Sequence, residues 1–175
     1  MTRLLDSHSA SRRHRLPAGP GALLLAALLL VLATATNAQC VLNQPLADNL
    51  FNGWKGSGQT FTPTCSGTLV EVTKPQGQLP DRIEIRSGSA NGALLYAQDG
   101  PAMPSGTHTL TSELNLVAGT TYALLFYRQP DNNGDGWTQL DVIPGGDLWA
   151  YSGTNWTQYS GYDLQFSLRI VPRIF

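Results

Sequence analysis

The chain has 175 residues, with eleven Lys and Arg, twelve Asp and Glu, and a formal net charge of −1. Four of the basic residues and one of the acidic ones fall in residues 1–38, which leaves seven and eleven in the remainder, a net charge of −4. That remainder carries no Lys/Arg cluster, so electrostatic binding to nucleic acid or to an anionic membrane is disfavoured.

Residues 1–38 read as a secretory signal. Arg3, Arg12, Arg13 and Arg15 form a positive front, "GALLLAALLLVLA" from Gly21 to Ala33 is the apolar segment, and Thr36-Asn37-Ala38 gives a small-residue end. The apolar run is short of the about 20 residues that a membrane span wants; an uncleaved N-terminal anchor is the alternative. A lipoprotein signal fits less well, because Asn37-Ala38-Gln39 before Cys40 is not a lipobox. The exported part is then 39–175, a single domain by length, not inserted in a membrane, and secreted, periplasmic or held at the cell surface. Its two cysteines, Cys40 and Cys65, are expected to pair in an oxidising compartment. Two free thiols or a metal pair are the alternatives.

In chain order, "PLADNLFNGW" suggests a short helix or turn. "QTFTP", "TLVEVTK", "DRIEIRSG", "ALLYAQ" and "HTLTSELNL" read as short strands. In the third of these Ile83 and Ile85 point one way, and Glu84 points towards water. "TTYALLFYR" is almost wholly apolar and suits a central strand buried on both faces. "PDNNGDG" follows as a turn that returns this strand as "WTQLDV". "LWAYSG" puts Trp149 and Tyr151 on one face and Leu148 and Ala150 on the other. "DLQFSLRIV" has the cleanest alternation: Leu164, Phe166, Leu168 and Ile170 point one way, and Asp163, Gln165, Ser167 and Arg169 the other. Gly, Pro, Asn, Asp and Ser cluster between these runs. The pattern predicts an all-β fold, a single antiparallel β-sandwich of jelly-roll type, with its sheet core at about 57–171.

The segments "GQTFTP", "CSGTLVEV", "LVAGTTYALLF", "PGGDLWAYSGTNW" and "GYDLQFSLRIV" resemble jelly-roll-type sandwich domains of exported bacterial proteins, the choice-of-anchor and carbohydrate-binding-like modules. The likeness rests on Gln59 and Phe61, on Ala118 to Tyr122, on Gly145 and Gly146 with Tyr151, and on Asp163 to Phe166. It implies a secreted sandwich and is more specific for fold than for activity. Such modules often adjoin a sorting tail or an enzyme; this chain ends at Phe175 with neither, so the module is expected to stand alone.

The chemistry-bearing residues are few. His108 is the one histidine outside the signal and is expected to be a half-exposed strand residue. Glu71, Glu84 and Glu113 are the strand carboxylates that a small glycan hydrolase or lyase would need to pair across a cleft. Three of the four tryptophans and three tyrosines fall between Trp137 and Tyr162. Aromatic faces stack on sugar rings while their N–H and O–H groups stay available for hydrogen bonds. Trp137, Trp149, Tyr151, Trp156 and Tyr159 are therefore candidate ligand-binding residues, expected together on one surface; burial between the sheets is the alternative for Trp149 and Tyr151. Asp131, Asn133 and Asp135 start like a calcium loop, but Val142 stands where an EF-hand needs its closing Glu. With Asp141 they form either a calcium site of another kind or only a turn, in which Asn-Gly and Asp-Gly supply positive φ. "NWT" at Asn155 matches a glycosylation acceptor by chance if the source is bacterial. The sequence thus points to an exported, non-catalytic binding module for carbohydrate or another cell-surface polymer, with a structural or adhesive surface protein as the alternative.

Overall fold

A computed structural model describes residues 39–103, 106–132 and 134–173, apart from the side chains of 130–132. The expected signal at 1–38 lies outside the described residues. The described chain is all-β, with antiparallel pairing throughout and no α-helix.

Thirteen strands form three sheets. One sheet holds β1 (Cys40–Gln44), β4 (Gly67–Thr73), β7 (Thr107–Leu116) and β13 (Phe166–Pro172), in the order β1-β13-β4-β7. A second holds β3 (Trp54–Phe61), β5 (Arg82–Ser87), β6 (Leu94–Asp99), β8 (Tyr122–Asn132), β10 (Asp147–Tyr151) and β11 (Trp156–Ser160), in the order β11-β10-β3-β8-β5-β6. The third is small: β2 (Asn49–Leu50), β9 (Gly136–Thr138) and β12 (Asp163–Leu164), in the order β12-β9-β2.

The arrangement is sandwich-like. Leu69, Val72, Phe166, Leu168 and Ile170 from the four-stranded sheet share one core cluster with Phe61, Ile83, Ile85, Leu124, Phe126 and Leu148 from the six-stranded sheet. Alternation accounts for most of this: every second residue of β13 and β5 turns inward. Ala123 to Phe126 are buried on both faces of β8, which lies inside the six-stranded sheet. Along the β6–β7 side, the Tyr96 hydroxyl meets His108 Nε2 at 3.1 Å, and His108 Nδ1 lies 3.2 Å from the Ala102 carbonyl. His108 is thus buried, not half-exposed.

Other sequence expectations are corrected as well. "PLADNLFNGW" contains the short strand β2 and no helix. "PDNNGDG" is not a hairpin turn, because β8 pairs with β3 and β5 while β9 pairs with β2 and β12. The segment carries the chain from one sheet to another. "DLQFSLRIV" is split between β12 and β13 instead of forming one strand, and Asp163 is fully buried. The sheets also reach from Cys40 to Pro172, wider than 57–171.

Cys40 and Cys65 are joined, with Cα atoms 6.5 Å apart and a sequence separation of 25. The bond ties edge strand β1 to the segment entering β4. Replacing both cysteines by alanine is expected to lower stability by roughly 3 kcal/mol on the loop-entropy account. Chemical denaturation checks this, and an unchanged midpoint would mean that pairing with β13 alone holds β1.

Candidate functional site

The site begins with polar residues on a strand that should carry apolar ones. Ser57 and Gln59 point from β3 towards the interior, between Phe126 and Ala150 on one level and between Leu124 and Leu148 on the next. Each finds a buried acid, one just before strand β9 of the small sheet and one in its strand β12. Ser57 Oγ donates to the Asp135 carboxylate. Asp135 also forms an ion pair with Lys74, and both side chains are almost fully buried. Lys74 Nζ donates to the Gln78 carbonyl at 2.6 Å and sits 5.9 Å from the Phe126 ring centroid. Burial lowers the Lys74 pKa, and the Asp135 charge offsets part of that.

Gln59 Nε2 donates to Asp163 Oδ1 at 2.6 Å, while Gln59 Oε1 accepts from Leu164 N at 2.8 Å. Asp163 Oδ2 accepts from Val142 N at 2.5 Å and Ile143 N at 2.8 Å. Burial raises the Asp163 pKa, and these donors offset it in part. The small sheet is thereby fixed against β3.

An open cleft of about 310 Å³ lies where the small sheet meets β3, β10 and β11. Leu50 and Phe51 come from β2 and its end, Trp137 from β9, Tyr162 from the turn before β12, Trp54 from β3 and Tyr159 from β11, with Leu148 and Asn52 completing the lining. Strict alternation would put Trp54 on the outer face with Gly56 and Gly58. A register irregularity between Trp54 and Gly56 turns it to the core side instead. The rings run in sequence: Phe51–Trp137 at 5.9 Å, Trp137–Tyr162 stacked at 5.5 Å, Tyr162–Tyr159 stacked at 6.2 Å, and Tyr159–Trp54 edge-on at 6.3 Å between centroids. The phenols of Tyr159 and Tyr162, the Trp54 indole N–H and the Asn52 amide make no hydrogen bond among the described residues, and no charged side chain lines the cleft.

The other three candidate aromatics lie elsewhere. Trp149, Tyr151 and Trp156 face the outer side of the six-stranded sheet. Trp149 is buried there over Leu125 and Ala123. Tyr151, Trp156 and Tyr127 are half-buried and form a triad with centroids 5.1–5.4 Å apart. Gly56 and Gly58 make this packing possible. A Cβ on Gly58 would stand 2.5 Å from Leu125, and one on Gly56 would stand 3.3 Å from the edge of the Trp156 ring.

Beside the triad, Glu84 is buried instead of facing water. It accepts from Arg82 Nε at 2.6 Å, Arg86 Nε at 2.7 Å and the Tyr127 hydroxyl at 3.1 Å. Burial alone would raise its pKa; the two arginines outweigh that and hold it below the ordinary glutamate range. Glu71 is held by Arg169 through two hydrogen bonds and Glu113 by Arg173, so each strand carboxylate faces an arginine.

The expected single aromatic surface is thus two. The structure brings Trp137 and Tyr159 together and adds Trp54 and Tyr162, and it groups Tyr151 and Trp156 with Tyr127. Of the acidic loop, Asp135 turns inward to Lys74 and Ser57, and Asp141 is exposed. The Asp131 side chain and Asn133 lie outside the described residues. Among the described residues no group of three or more His, Cys, Asp or Glu side chains is placed to hold a metal ion. No helix of the described residues is long and apolar enough to cross a membrane.

No protein-family model, no curated protein and no solved structure matches the chain.

Lys74→Met is expected to cost about 3–5 kcal/mol, because it strands a buried carboxylate; a denaturant titration giving a loss below about 1 kcal/mol, the scale of an exposed pair, would contradict this. The depressed pKa of Glu84 also fixes a sign. Its contribution is full above the unfolded glutamate value of about 4.3 and is lost as the pH falls through the lower folded value. Glu84→Gln should therefore flatten the acid limb of a stability-against-pH curve, and an unaltered limb would refute the assignment.

Proposed function

We propose that this protein is an exported, non-catalytic sandwich module of jelly-roll type that binds carbohydrate or another cell-surface polymer in the cleft between Trp54, Trp137, Tyr159 and Tyr162. The observation that carries this reading is the combination in one cleft of a run of aromatic rings with four unspent hydrogen-bonding groups and no charge. Flat rings match the C–H face of a sugar, and the phenols, indole N–H and amide match its hydroxyls. The lack of charge in the lining favours a neutral ligand.

The remaining parts of the reading have their own support. The bond between Cys40 and Cys65 agrees with an oxidising compartment, whether secreted, periplasmic or at the cell surface. The jelly-roll assignment draws on the last strand, β13, pairing between the early strands β1 and β4. The non-catalytic assignment draws on a cleft whose titratable groups are two phenols, with Glu71, Glu84 and Glu113 each engaged by arginine.

A glycan array probed with the purified protein, with and without calcium, is the direct test. Binding to a neutral glycan is expected, and Trp137→Ala and Tyr159→Ala should each weaken it by about tenfold or more, the loss typical of a central aromatic contact. An array that stays blank in both conditions would remove the carbohydrate reading and leave a structural or adhesive surface protein.

A further inference from the structure

The outer face of the six-stranded sheet holds a feature that the cleft does not use. The strand registers place one residue from each strand on a single line. Trp156 is opposite Tyr151, Tyr151 opposite Gly56, Gly56 opposite Tyr127, Tyr127 opposite Arg82 and Arg82 opposite Asp99. Six strands about 4.8 Å apart make this row about 24 Å long.

One end of the row is aromatic and rigid. The Tyr151 hydroxyl donates to the Gly153 carbonyl at 2.9 Å and the Tyr127 hydroxyl to Glu84 at 3.1 Å, so both rings are fixed. The Trp156 ring leans over bare Gly56. The other end is polar and equally fixed. Glu84 takes the Nε of Arg82 and Arg86; Arg82 Nη1 donates to Asp99 at 2.6 Å and Arg86 Nη1 to the Gly92 carbonyl at 3.0 Å. Both arginines are partly exposed, and the hydrogen bonds of Arg82 use its Nε and Nη1. Two arginines are balanced by Glu84 and Asp99, so the row has no net charge to attract a phosphate or a uronate. Of the exposed large aliphatic side chains, Leu94 stands opposite Arg86, at the polar end of this face.

We propose that this row is a second binding surface, for a neutral linear saccharide chain lying across the strands, with sugar rings on Trp156, Tyr151 and Tyr127 and hydroxyls taken by the guanidinium groups of Arg82 and Arg86. The proposal rests on the carbohydrate reading and extends it from the cleft to a linear chain on the opposite face of the sheet. Contacts spread along a line suit a chain of rings better than a single one. Preorganised rings and arginines lose little freedom on binding.

Affinity electrophoresis in gels containing hydroxyethylcellulose, xylan, glucomannan or soluble starch tests this, with calorimetry on the disaccharide of whichever polymer retards the protein. Trp156→Ala and Arg82→Gln should each weaken polymer binding by about tenfold or more while leaving disaccharide binding unchanged, and Trp137→Ala should weaken both. Trp156 is half-buried on an edge strand, so its variant is the one expected to keep the fold, and near-ultraviolet circular dichroism verifies it. Polymer retardation by both row variants equal to that of the starting protein would overturn the second surface and leave the cleft intact. Failure of every polymer to retard the starting protein would overturn the surface and the carbohydrate reading together. A dimer that Trp156→Ala dissociates in sedimentation would assign the face to a second copy of the chain and overturn the proposal.

Discussion

The buried polar contacts of β3 are the constraint on which the rest of the structure depends. Ser57 and Gln59 stand where a sandwich-like core would take aliphatic residues, and each donates to a carboxylate from far along the chain. A buried acid without partners would be costly. Asp135 therefore needs Lys74 and Ser57 in place, and Asp163 needs Gln59 and the amides of Val142 and Ile143. These requirements fix where β9 and β12 lie. With β2 they hold Trp137, Tyr162 and Phe51 opposite Trp54 and Tyr159, so the cleft is a consequence of the polar contacts beneath it.

The same strand also governs the outer face. Gly56 and Gly58 alternate with Ser57 and Gln59, so β3 presents no side chain outward where β10 and β8 carry Tyr151, Trp149, Leu125 and Tyr127. Aromatic rings fill that space, and Trp156 reaches over it from β11. Glycine weakens a strand by its entropy and its lack of packing surface. Here the rings of neighbouring strands supply the packing that the glycines omit. One strand thus has a polar inner side that anchors the cleft and a bare outer side that lets the triad close.

Much of this was legible in the residues, and the failures have physical causes. The period-2 runs gave Ile83, Ile85, Phe166, Leu168 and Ile170 as core, and the apolar "YALLF" gave β8 as a central strand. The split of the aromatics was missed, because the segment after Gly153 reads as a loop and its strand β11 was not foreseen. Trp156 and Tyr159 are three apart on one strand, and odd spacing sends them to opposite faces. Trp54 was not legible, because its direction depends on a local irregularity that alternation does not encode. Glu84 was misread because a charged residue in an alternating pattern is taken to face water; it and Asp163 are each covered by partners distant in sequence or across the sheet. "PDNNGDGW" has the composition of a turn and the oxygens of a cation loop, but Asp135 is committed to Lys74, which follows β4 some sixty positions earlier.

The sequence by itself determined the all-β class, the positions of most strands, the pairing of Cys40 with Cys65 and the concentration of aromatic side chains in the C-terminal half. These follow from local periodicity, turn chemistry and cysteine count, which act over a few residues or over the whole composition. The tertiary structure decided which aromatics meet. Strand order, register and the buried ion pair are long-range matters, set by which distant groups can satisfy one another out of water. They divided one sequence cluster into a cleft and a row on opposite faces of one sheet.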